Sequence, residues 1–259
     1  MSNKLKITGL LIGLIVVAIL IKFIFFNPRE IMFEDAIIYG KVKSIKEISY
    51  EAELRNNEPV KIKRWRRGHL TDDFHCFFNE AGLPIKRIIY PAADTGTVSR
   101  TLLYKYNKRG QLINYYHEND IPTKPEYFFN QKGQLIKEMG SSNYIRYDYY
   151  PNGNLHHKTQ VHPEFGDEFI NTYTYENNFI KCLDIYYTVA DWHIINVYER
   201  DRSGNIVKYK LVNALDELKR EKWNEFEYKF DKYHNWTKCI HLRNKKPIYI
   251  IEREIEYYD

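Results

Sequence analysis

The chain has 259 residues, a modest net charge of +5, and an abundance of aromatic side chains, with 23 Tyr and 14 Phe. Acidic and basic residues are interspersed, which argues against the one-sided basic field of a nucleic-acid-binding protein. Cys76, Cys182 and Cys239 lie far apart without CxxC spacing, which argues against a zinc site and a dense disulfide scaffold. Buried free thiols are the favoured interpretation. A single disulfide with one leftover cysteine is the alternative in an exported body.

An apolar run over 7–26, interrupted by Lys22, follows Lys4 and Lys6 at the N-terminus. About 20 apolar residues span a bilayer, whereas the core of a cleaved signal peptide usually has about 7–15. No small-x-small cleavage site follows the run. We therefore predict an uncleaved signal anchor, a single transmembrane helix over residues 1–27.

Positive charges on both sides of this anchor bear on its orientation. The two N-terminal lysines and the free amino terminus favour a cytoplasmic N-terminus and an exported body, whereas Lys22 and Arg29 favour the reverse more weakly. In a bacterium, the predicted location is the inner membrane, crossed once, with the body in the periplasm. A body that faces the cytoplasm is the alternative. Residues 28–38 are predicted to form a membrane-proximal linker, and residues 39–259 the folded domain.

Nearly strict alternation of polar and apolar residues predicts a first long strand over 39–51. Its predicted partner covers 60–70, across a polar turn at 56–59. The partner carries a basic run around a tryptophan, which we select as candidate partner-binding residues: Lys61, Lys63, Arg64, Trp65, Arg66 and Arg67. The functional interpretation is a basic strand that contacts an acidic partner or anionic lipid headgroups. The structural interpretation, which we favour, is the solvated outer face of a hairpin.

From residue 74 onward a short phrase recurs: two aromatic residues in alternation, a polar turn centred on Gly, and a second alternating run that begins near a Leu or Ile. Typical copies are 104–113 (YKYNKRGQLI) and 147–155 (YDYYPNGNL). Such a pattern predicts a β-hairpin, and turns that recur roughly every 20–30 residues indicate a repeat array. The predicted turn positions are Gly82, Gly110, Gly133, Gly153, Asn178, Gly204 and His234.

The turn position requires a residue that tolerates positive φ, because a loop built on a type I turn re-enters the second strand through the left-handed region. Gly adopts that region without a Cβ clash, and Asn is the next best residue. His234 is therefore predicted to mark an altered or strained turn. An Asn or Asp four residues ahead of the turn position is predicted to close the turn through its side chain.

Residues 211–225 fit two local structures. Three leucines at helical spacing favour a short helix, whereas 213–218 mimics the turn phrase with Asp216 in the Gly position. We favour a degenerate hairpin, because the neighbouring segments on both sides are predicted strands.

Motifs for catalysis are missing from the sequence, which has no G-x-S-x-G, no H-E-x-x-H and no phosphate-binding glycine loop.

Adjacent side chains on a strand point to opposite faces, so His156 and His157 are predicted not to share a metal unless a bulge intervenes. The loop at 162–168 is interpreted as a polar surface loop rather than a metal site. It and one strand tryptophan add candidate partner-binding residues: His162, Glu164, Asp167, Glu168 and Trp192.

The recurring phrase resembles the tyrosine–aspartate (YD) repeats of the rearrangement-hotspot (RHS) family, and the related MORN-like repeats of bacterial proteins. Residues 147–155 carry the strongest resemblance, and 230–238 is similar to the final repeat of exported YD-repeat proteins. The resemblance covers about residues 74–259. It implies stacked β-hairpins in one long, strongly curved sheet, which in large members closes into a shell around a toxin. This chain carries too few repeats for a full shell, so we expect an open curved sheet or half-cocoon.

The sequence thus predicts an all-β protein, with one transmembrane helix followed by stacked antiparallel hairpins in a curved sheet. We expect a binding protein rather than an enzyme, with a protein partner, no nucleic acid, no metal and no cofactor. Our first hypothesis is an immunity protein that binds and neutralises a secreted antibacterial toxin. The alternative is a cell-envelope scaffold or a module that binds glycan or peptidoglycan through exposed aromatic side chains.

Overall fold

A computed structural model describes residues 38–64, 73–90, 98, 100–110, 112–118, 126–140, 142–164, 166–213 and 223–259. The strands in these ranges, numbered in chain order, are β1 (Val42–Arg55), β2 (Glu58–Arg64), β3 (Asp73–Phe78), β4 (Pro84–Tyr90), β5 (Arg100–Tyr106), β6 (Leu112–His117), β7 (Glu126–Phe129), β8 (Leu135–Met139), β9 (Tyr144–Tyr149), β10 (Leu155–His162), β11 (Asp167–Glu176), β12 (Phe179–Tyr187), β13 (Trp192–Arg200), β14 (Ile206–Asn213), β15 (Asn224–Phe230), β16 (Trp236–Arg243) and β17 (Lys246–Tyr257).

The predicted anchor at 1–27 lies outside the described residues. None of the described residues belongs to a helix long and apolar enough to cross a membrane. The ambiguous segment 211–225 is described only at its ends, where β14 finishes at Asn213 and β15 begins at Asn224.

The strands form one antiparallel sheet in which most strands pair with their neighbours in sequence. β1 is the exception, because its first half pairs with β3 and its second half with β2. The other edge of β1 pairs with β17, from Val42 opposite Tyr257 to Glu51 opposite Tyr249. Among the described residues, no ladder joins β6 to β7, although these strands lie close together. The structure is therefore a nearly closed antiparallel barrel. The all-β prediction is confirmed, but the fold is barrel-like rather than an open curved sheet, because the two ends of the array meet.

A β-bulge repeated in most hairpins decides which side chains face the interior. In the β5–β6 hairpin Lys105 pairs with Asn114 and Tyr106 pairs with Leu112. Ile113 is therefore an extra residue on β6, opposite the adjacent residues Lys105 and Tyr106. The same register shift occurs after the turns at 79–83, 130–134, 150–154, 201–205 and 231–235. Because side chains alternate along a strand, both aromatics of the phrase and its Leu or Ile share one face, and the extra residue faces outward.

The shared face is the buried one. Its main hydrophobic cluster consists of Ile180, Leu183, Tyr198, Ile206, Tyr209, Phe226, Trp236, Cys239, Tyr249 and Ile251. A second cluster near β1 and β3 contains Val42, Ile45, Phe74, Cys76 and Phe78. All three cysteines are free thiols, and Cys182 is the one that is only half-buried.

Neighbouring repeats are joined by hydrogen bonds from a side chain of one hairpin to the backbone of the hairpin before it. The Tyr106 hydroxyl donates to the carbonyl oxygen of Pro84 at 2.8 Å, and the Tyr149 hydroxyl donates to that of Leu135 at 2.7 Å. At the equivalent position, the Arg200 side chain donates to the carbonyl oxygen of Ile180 at 2.9 Å. Since the acceptor is main chain, this contact depends on repeat geometry and tolerates sequence variation.

The predicted turn positions all have positive φ, from 67° at Asn178 and His234 to 95° at Gly153. The Asn or Asp that closes the turn lies three residues ahead of the turn position, not four as predicted. From there its side chain reaches the backbone amides two and four residues after itself. Asp201 Oδ1, for example, accepts from the amides of Ser203 and Asn205, each at 2.9 Å.

Asn178 belongs to a different kind of turn from the Gly positions. It follows Asn177, which also has positive φ, so the pair forms a two-residue type I′ turn rather than the loop of the repeat phrase. The β1–β2 turn at 56–57 has the same two positive φ values.

A buried ion pair lies in the ladder that closes the barrel. Arg253 Nε donates to Glu47 Oε2 at 2.8 Å, and the two side chains are 3% and 1% exposed. The guanidinium lies 3.4 Å from the centroid of the Trp236 ring, a cation–π contact. A one-residue slip of β17 along β1 would separate two buried charges, so the pair favours the observed register.

Gly204 is the turn glycine with the strongest steric requirement. A Cβ at this position would lie 2.2 Å from Phe179 Cε1, whereas a Cβ at Gly82 would meet nothing within 4 Å. The left-handed conformation costs a non-glycine residue about 1–2 kcal/mol, and overpacking adds about 1–3 kcal/mol. We expect Gly82→Ala to lower the free energy of unfolding by the first amount and Gly204→Ala by roughly 2–5 kcal/mol, measured by urea denaturation. Equal losses for the two variants would contradict the Phe179 contact.

The burial of His241 makes the stability of the core sensitive to acid. It is 2% exposed, its Nε2 lies 2.8 Å from Asn224 Oδ1, and its ring stacks on Phe226. Burial, followed by the charge of Arg243, lowers the pKa of His241 from 6.5 to about 3. The contribution of neutral His241 to the free energy of unfolding is complete above its ordinary pKa of 6.5. It is lost as the pH falls toward the folded-state pKa of about 3.

We therefore expect the free energy of unfolding to fall by up to about 1.4 kcal/mol per pH unit below the ordinary pKa because of this one group. His241→Gln, which keeps an amide donor for Asn224 but does not titrate, should flatten this part of the profile. Urea denaturation between about pH 7 and pH 4 measures both slopes. Identical slopes in the two proteins would show that another group carries the acid sensitivity.

Candidate functional site

A carboxylate among tyrosines lies on the interior face where the barrel is least closed. Tyr115 on β6 and Tyr147 on β9 point their hydroxyls at the two oxygens of Glu138 on β8, at 3.3 and 3.2 Å. Tyr127 on β7 pairs directly with Glu138 in the ladder. We call these four residues the Glu138 cluster. The contact from Tyr115 to Glu138 spans the break between β6 and β7 with side chains.

The tyrosines of the Glu138 cluster are hydrogen-bond donors at neutral pH. Burial first, and then the negative charge of Glu138, raises the pKa of Tyr115, Tyr127 and Tyr147 above the ordinary value. Tyr115 keeps 39% of its surface exposed, so the cluster is accessible to a ligand. Phenol donors, a carboxylate acceptor and aromatic rings together suit the binding of a polar, hydroxyl-rich ligand.

The outer face of β4–β8 exposes an apolar stripe. Ile85, Ile113 and Ile136 occupy the bulge position of three successive hairpins and are 41%, 45% and 40% exposed. Phe128 and Met139 add exposed apolar area on β7 and β8. We call these five residues the β4–β8 outer surface. The three isoleucines are exposed because each follows an inward-facing Leu or Pro on its strand, and side chains alternate between the two faces.

Basic side chains lie over aromatic rings beside this surface. Lys105 Nζ is 5.1 Å from the Tyr116 ring centroid, and Lys137 Nζ is 4.8 Å from that of Tyr144 and 5.9 Å from that of Phe128. Such cation–π contacts hold the charged groups at the edge of the apolar stripe. The surface is therefore apolar with basic groups around it, a combination that fits an acidic partner with an apolar face.

The predicted basic strand contains paired charges instead. Lys61 Nζ lies 2.9 Å from Glu252, Lys63 Nζ lies 3.4 Å from Glu51, and the guanidinium of Arg64 lies 3.4 Å from buried Asp73. These bases are neutralised by neighbouring strands, which fits the outer face of a hairpin better than a basic binding strand. The remaining candidates of this run, Trp65, Arg66 and Arg67, lie outside the described residues.

The candidates at 162–168 do not converge on one site. His162 pairs with Asp167 across the β10–β11 hairpin, and Asp167 Oδ2 accepts from the Tyr187 hydroxyl at 3.0 Å. Glu168 forms an ion pair with Arg146 at 3.1 Å, and Glu164 is exposed in the turn. Only the backbone of Trp192 is described, where it pairs with Tyr187 at the start of β13.

His156 and His157 share one face, because β10 contains a bulge, and a bulge allows adjacent residues of a strand to lie on the same side of the sheet. The register shifts between Leu155 and His157, and the two imidazole rings are 3.6 Å apart between centroids. Even so, within the part of the chain that the structure describes, no three His, Cys, Asp or Glu side chains are arranged to hold a metal ion.

Sequence reasoning missed both the Glu138 cluster and the β4–β8 outer surface. The outer surface left a signal, because the residue at the bulge position is Ile at 85, 113 and 136 but His, Val or Thr at 156, 207 and 237. The Glu138 cluster left none, since its members come from four strands and meet only through the sheet.

No protein-family profile matches the chain, and no curated protein is similar to it in sequence. Among solved structures, the chain is similar to a porin-like protein from Bacteroides uniformis, with 15% identity, a TM-score of 0.51, and coverage of 85% of this chain and 98% of the other. A porin-like protein from Bacteroides vulgatus aligns at 10% identity over 84% and 98%, with a TM-score of 0.40. The Photorhabdus luminescens Tc holotoxin pore aligns at 10% identity over 74% of this chain and 13% of the other, with a TM-score of 0.29. The first likeness concerns the fold alone, and the other two are too remote to support an argument.

Proposed function

We propose that this chain is a membrane-anchored, exported binding protein that acts as an immunity protein and neutralises a secreted antibacterial toxin. The observation that carries the proposal is the β4–β8 outer surface, with its five large apolar side chains at least 36% exposed. Exposed apolar residues that are grouped on one face and bordered by polar groups mark protein-binding sites. A protein partner accounts for this surface better than a small ligand does, because the stripe is open and spans several strands.

The geometry of the stripe suits a protein interface. Ile85, Ile113 and Ile136 lie on the alternate strands β4, β6 and β8, so the stripe runs across the strands rather than along one of them. The neighbouring Lys105 and Lys137 favour an acidic partner and would speed its association by electrostatic attraction.

The resemblance to YD repeats supports the toxin as the partner, by analogy. The proposed anchor at 1–27 would hold the barrel in the periplasm, on the route of a toxin delivered from a neighbouring cell. Neutralisation then requires only tight binding, which agrees with a surface that offers contact area rather than catalytic groups.

The test combines toxin binding with protection of living cells. Full-length protein should capture an effector encoded beside it, and its expression should protect sensitive cells. The triple variant Ile85→Asp, Ile113→Asp, Ile136→Asp should lose at least tenfold in affinity, about 1.4 kcal/mol, together with protection. The matched control is Thr237→Asp, at the equivalent bulge position of β16, which should retain both.

Two results would reject the immunity role. One is a correctly folded triple variant, judged by circular dichroism, that still binds and protects like the wild type. The other is failure of the wild-type protein to protect against every candidate toxin.

The Glu138 cluster favours a second function, the binding of a cell-envelope glycan. Its phenols and carboxylate match sugar hydroxyls, and Tyr115 offers an exposed ring for stacking. If this function is correct, soluble peptidoglycan fragments should bind the full-length protein, and Glu138→Gln should weaken binding about tenfold, about 1.4 kcal/mol, because the carboxylate is the acceptor. The triple aspartate variant should bind the fragments normally. Calorimetry with both variants separates this function from toxin binding.

A further inference from the structure

A groove lies on the outer face of the barrel, on strands other than those of the β4–β8 outer surface. It has a volume of about 400 Å³ and lies between the β1–β2 hairpin and strands β15–β17. We call it the β15 groove. Its lining residues are Leu54, Asn57, Pro59, Glu225, Glu227, Leu242, Lys245 and Pro247.

The strand registers explain how the groove combines apolar walls with acids. On the barrel side, Leu242 pairs with both Glu225 and Pro247, so an apolar floor lies directly beside a carboxylate. Glu227 follows two positions along β15 and faces the same side. On the hairpin side, Leu54 pairs with Pro59. Leu54 is 47% exposed although it lies against the groove, which shows that the apolar wall is open to an occupant.

Among the described residues, the carboxylates of the groove have no ion-pair partner, in contrast to Glu252 and Glu254 on β17. Within the described ranges, neither Glu225 nor Glu227 has a basic group within ion-pair distance, whereas Glu252 and Glu254 of neighbouring β17 pair with lysines at 2.9 and 3.1 Å. Lys245 also lines the groove and offsets one of the two negative charges. Lys208 lies opposite Glu225 in the β14–β15 ladder, but its amine forms an ion pair with Glu199 at 3.8 Å. The groove therefore presents net negative charge beside an apolar floor.

We propose that the β15 groove binds the side chain of a lysine or arginine presented by a partner protein. Such a side chain is apolar along its stem and cationic at its end, so the stem lies against Leu54, Leu242 and Pro247 while the head reaches Glu225 and Glu227. The volume lies within the range of about 300–1,000 Å³ typical of ligand sites. A divalent metal fits less well, since it would require more oxygen ligands and a less apolar floor.

This inference does not rest on the proposed immunity function. The groove uses β1, β2 and β15–β17, whereas the toxin surface uses β4–β8, and their charges have opposite sign. Substitutions in one should leave binding at the other unchanged, so the two proposals can fail separately.

The test compares two blocked tripeptides, acetyl-Gly-Lys-Gly-amide and its norleucine counterpart, which has a similar stem but no charge. Binding to the full-length protein is measured by saturation-transfer NMR. The lysine peptide should bind about tenfold more tightly, and the double variant Glu225→Gln, Glu227→Gln should remove that difference. Added salt should also reduce the preference for the lysine peptide, because the groove is open to solvent and its charges are screened. Glu80→Gln, on an exposed turn, is the matched control and should change nothing.

Leu54→Ser tests the apolar wall and should weaken both peptides, while folding is kept because this leucine is already exposed. The proposal is overturned if the two peptides bind equally, if neither binds saturably, or if the double glutamine variant keeps the preference for lysine. A wild-type dimer that dissociates in the double variant, seen by sedimentation, would also overturn it, because the occupant would then be a second copy of this chain.

Discussion

The antiparallel pairing of β1 with β17 is the constraint on which the rest of the barrel depends. A meander of hairpins has two free edges, and free edges expose unpaired amides and carbonyls that promote aggregation. Here the first and last strands supply each other's missing partner over most of β1. The buried Glu47–Arg253 pair lies within this ladder, and Trp236 covers the guanidinium. Such a pair contributes little net stability when desolvation is counted, but it penalises other registers. Closure also encloses the interior, which an open sheet would leave exposed.

The bulge of the repeat links the fold to its candidate surfaces. By adding one residue to the returning strand, it places Tyr115 opposite Tyr104 and Glu138 opposite Tyr127, so that both face the interior. The extra residue follows an inward-facing Leu or Pro and faces outward, and in three hairpins it is isoleucine. One local feature thus generates both the tyrosine-rich interior around Glu138 and the apolar stripe proposed to bind a protein. The hydrogen bonds from Tyr106 and Tyr149 to the preceding repeat then hold neighbouring hairpins together.

Charge pairing separates structural from functional charges on the outer face. The bases on β2 are conspicuous in sequence, yet each one described has an acid from a neighbouring strand beside it. The exposed pairs of Lys61 and Lys63 contribute little to stability, and all three pairs leave little net charge for a partner. Glu225 and Glu227 form no obvious sequence motif, but they lie along a groove with an apolar floor and have no ion-pair partner among the described residues. The distinction arises because strand register, which sequence composition does not specify, decides which charges meet.

The sequence by itself determined the all-β class, the hairpin repeat and the turn positions, because these depend on residues close together in the chain: alternation, a Gly, Asn or His with positive φ, and a short polar acceptor. It could not determine closure, because the β1–β17 ladder joins residues more than 190 positions apart. Nor could it place Tyr115, Tyr127 and Tyr147 around Glu138, or Leu54 and Glu225 along one groove, since these residues come from strands that the folded sheet brings together. The candidate sites therefore belong to the tertiary structure, because long-range register sets them, whereas local turn chemistry sets the repeat.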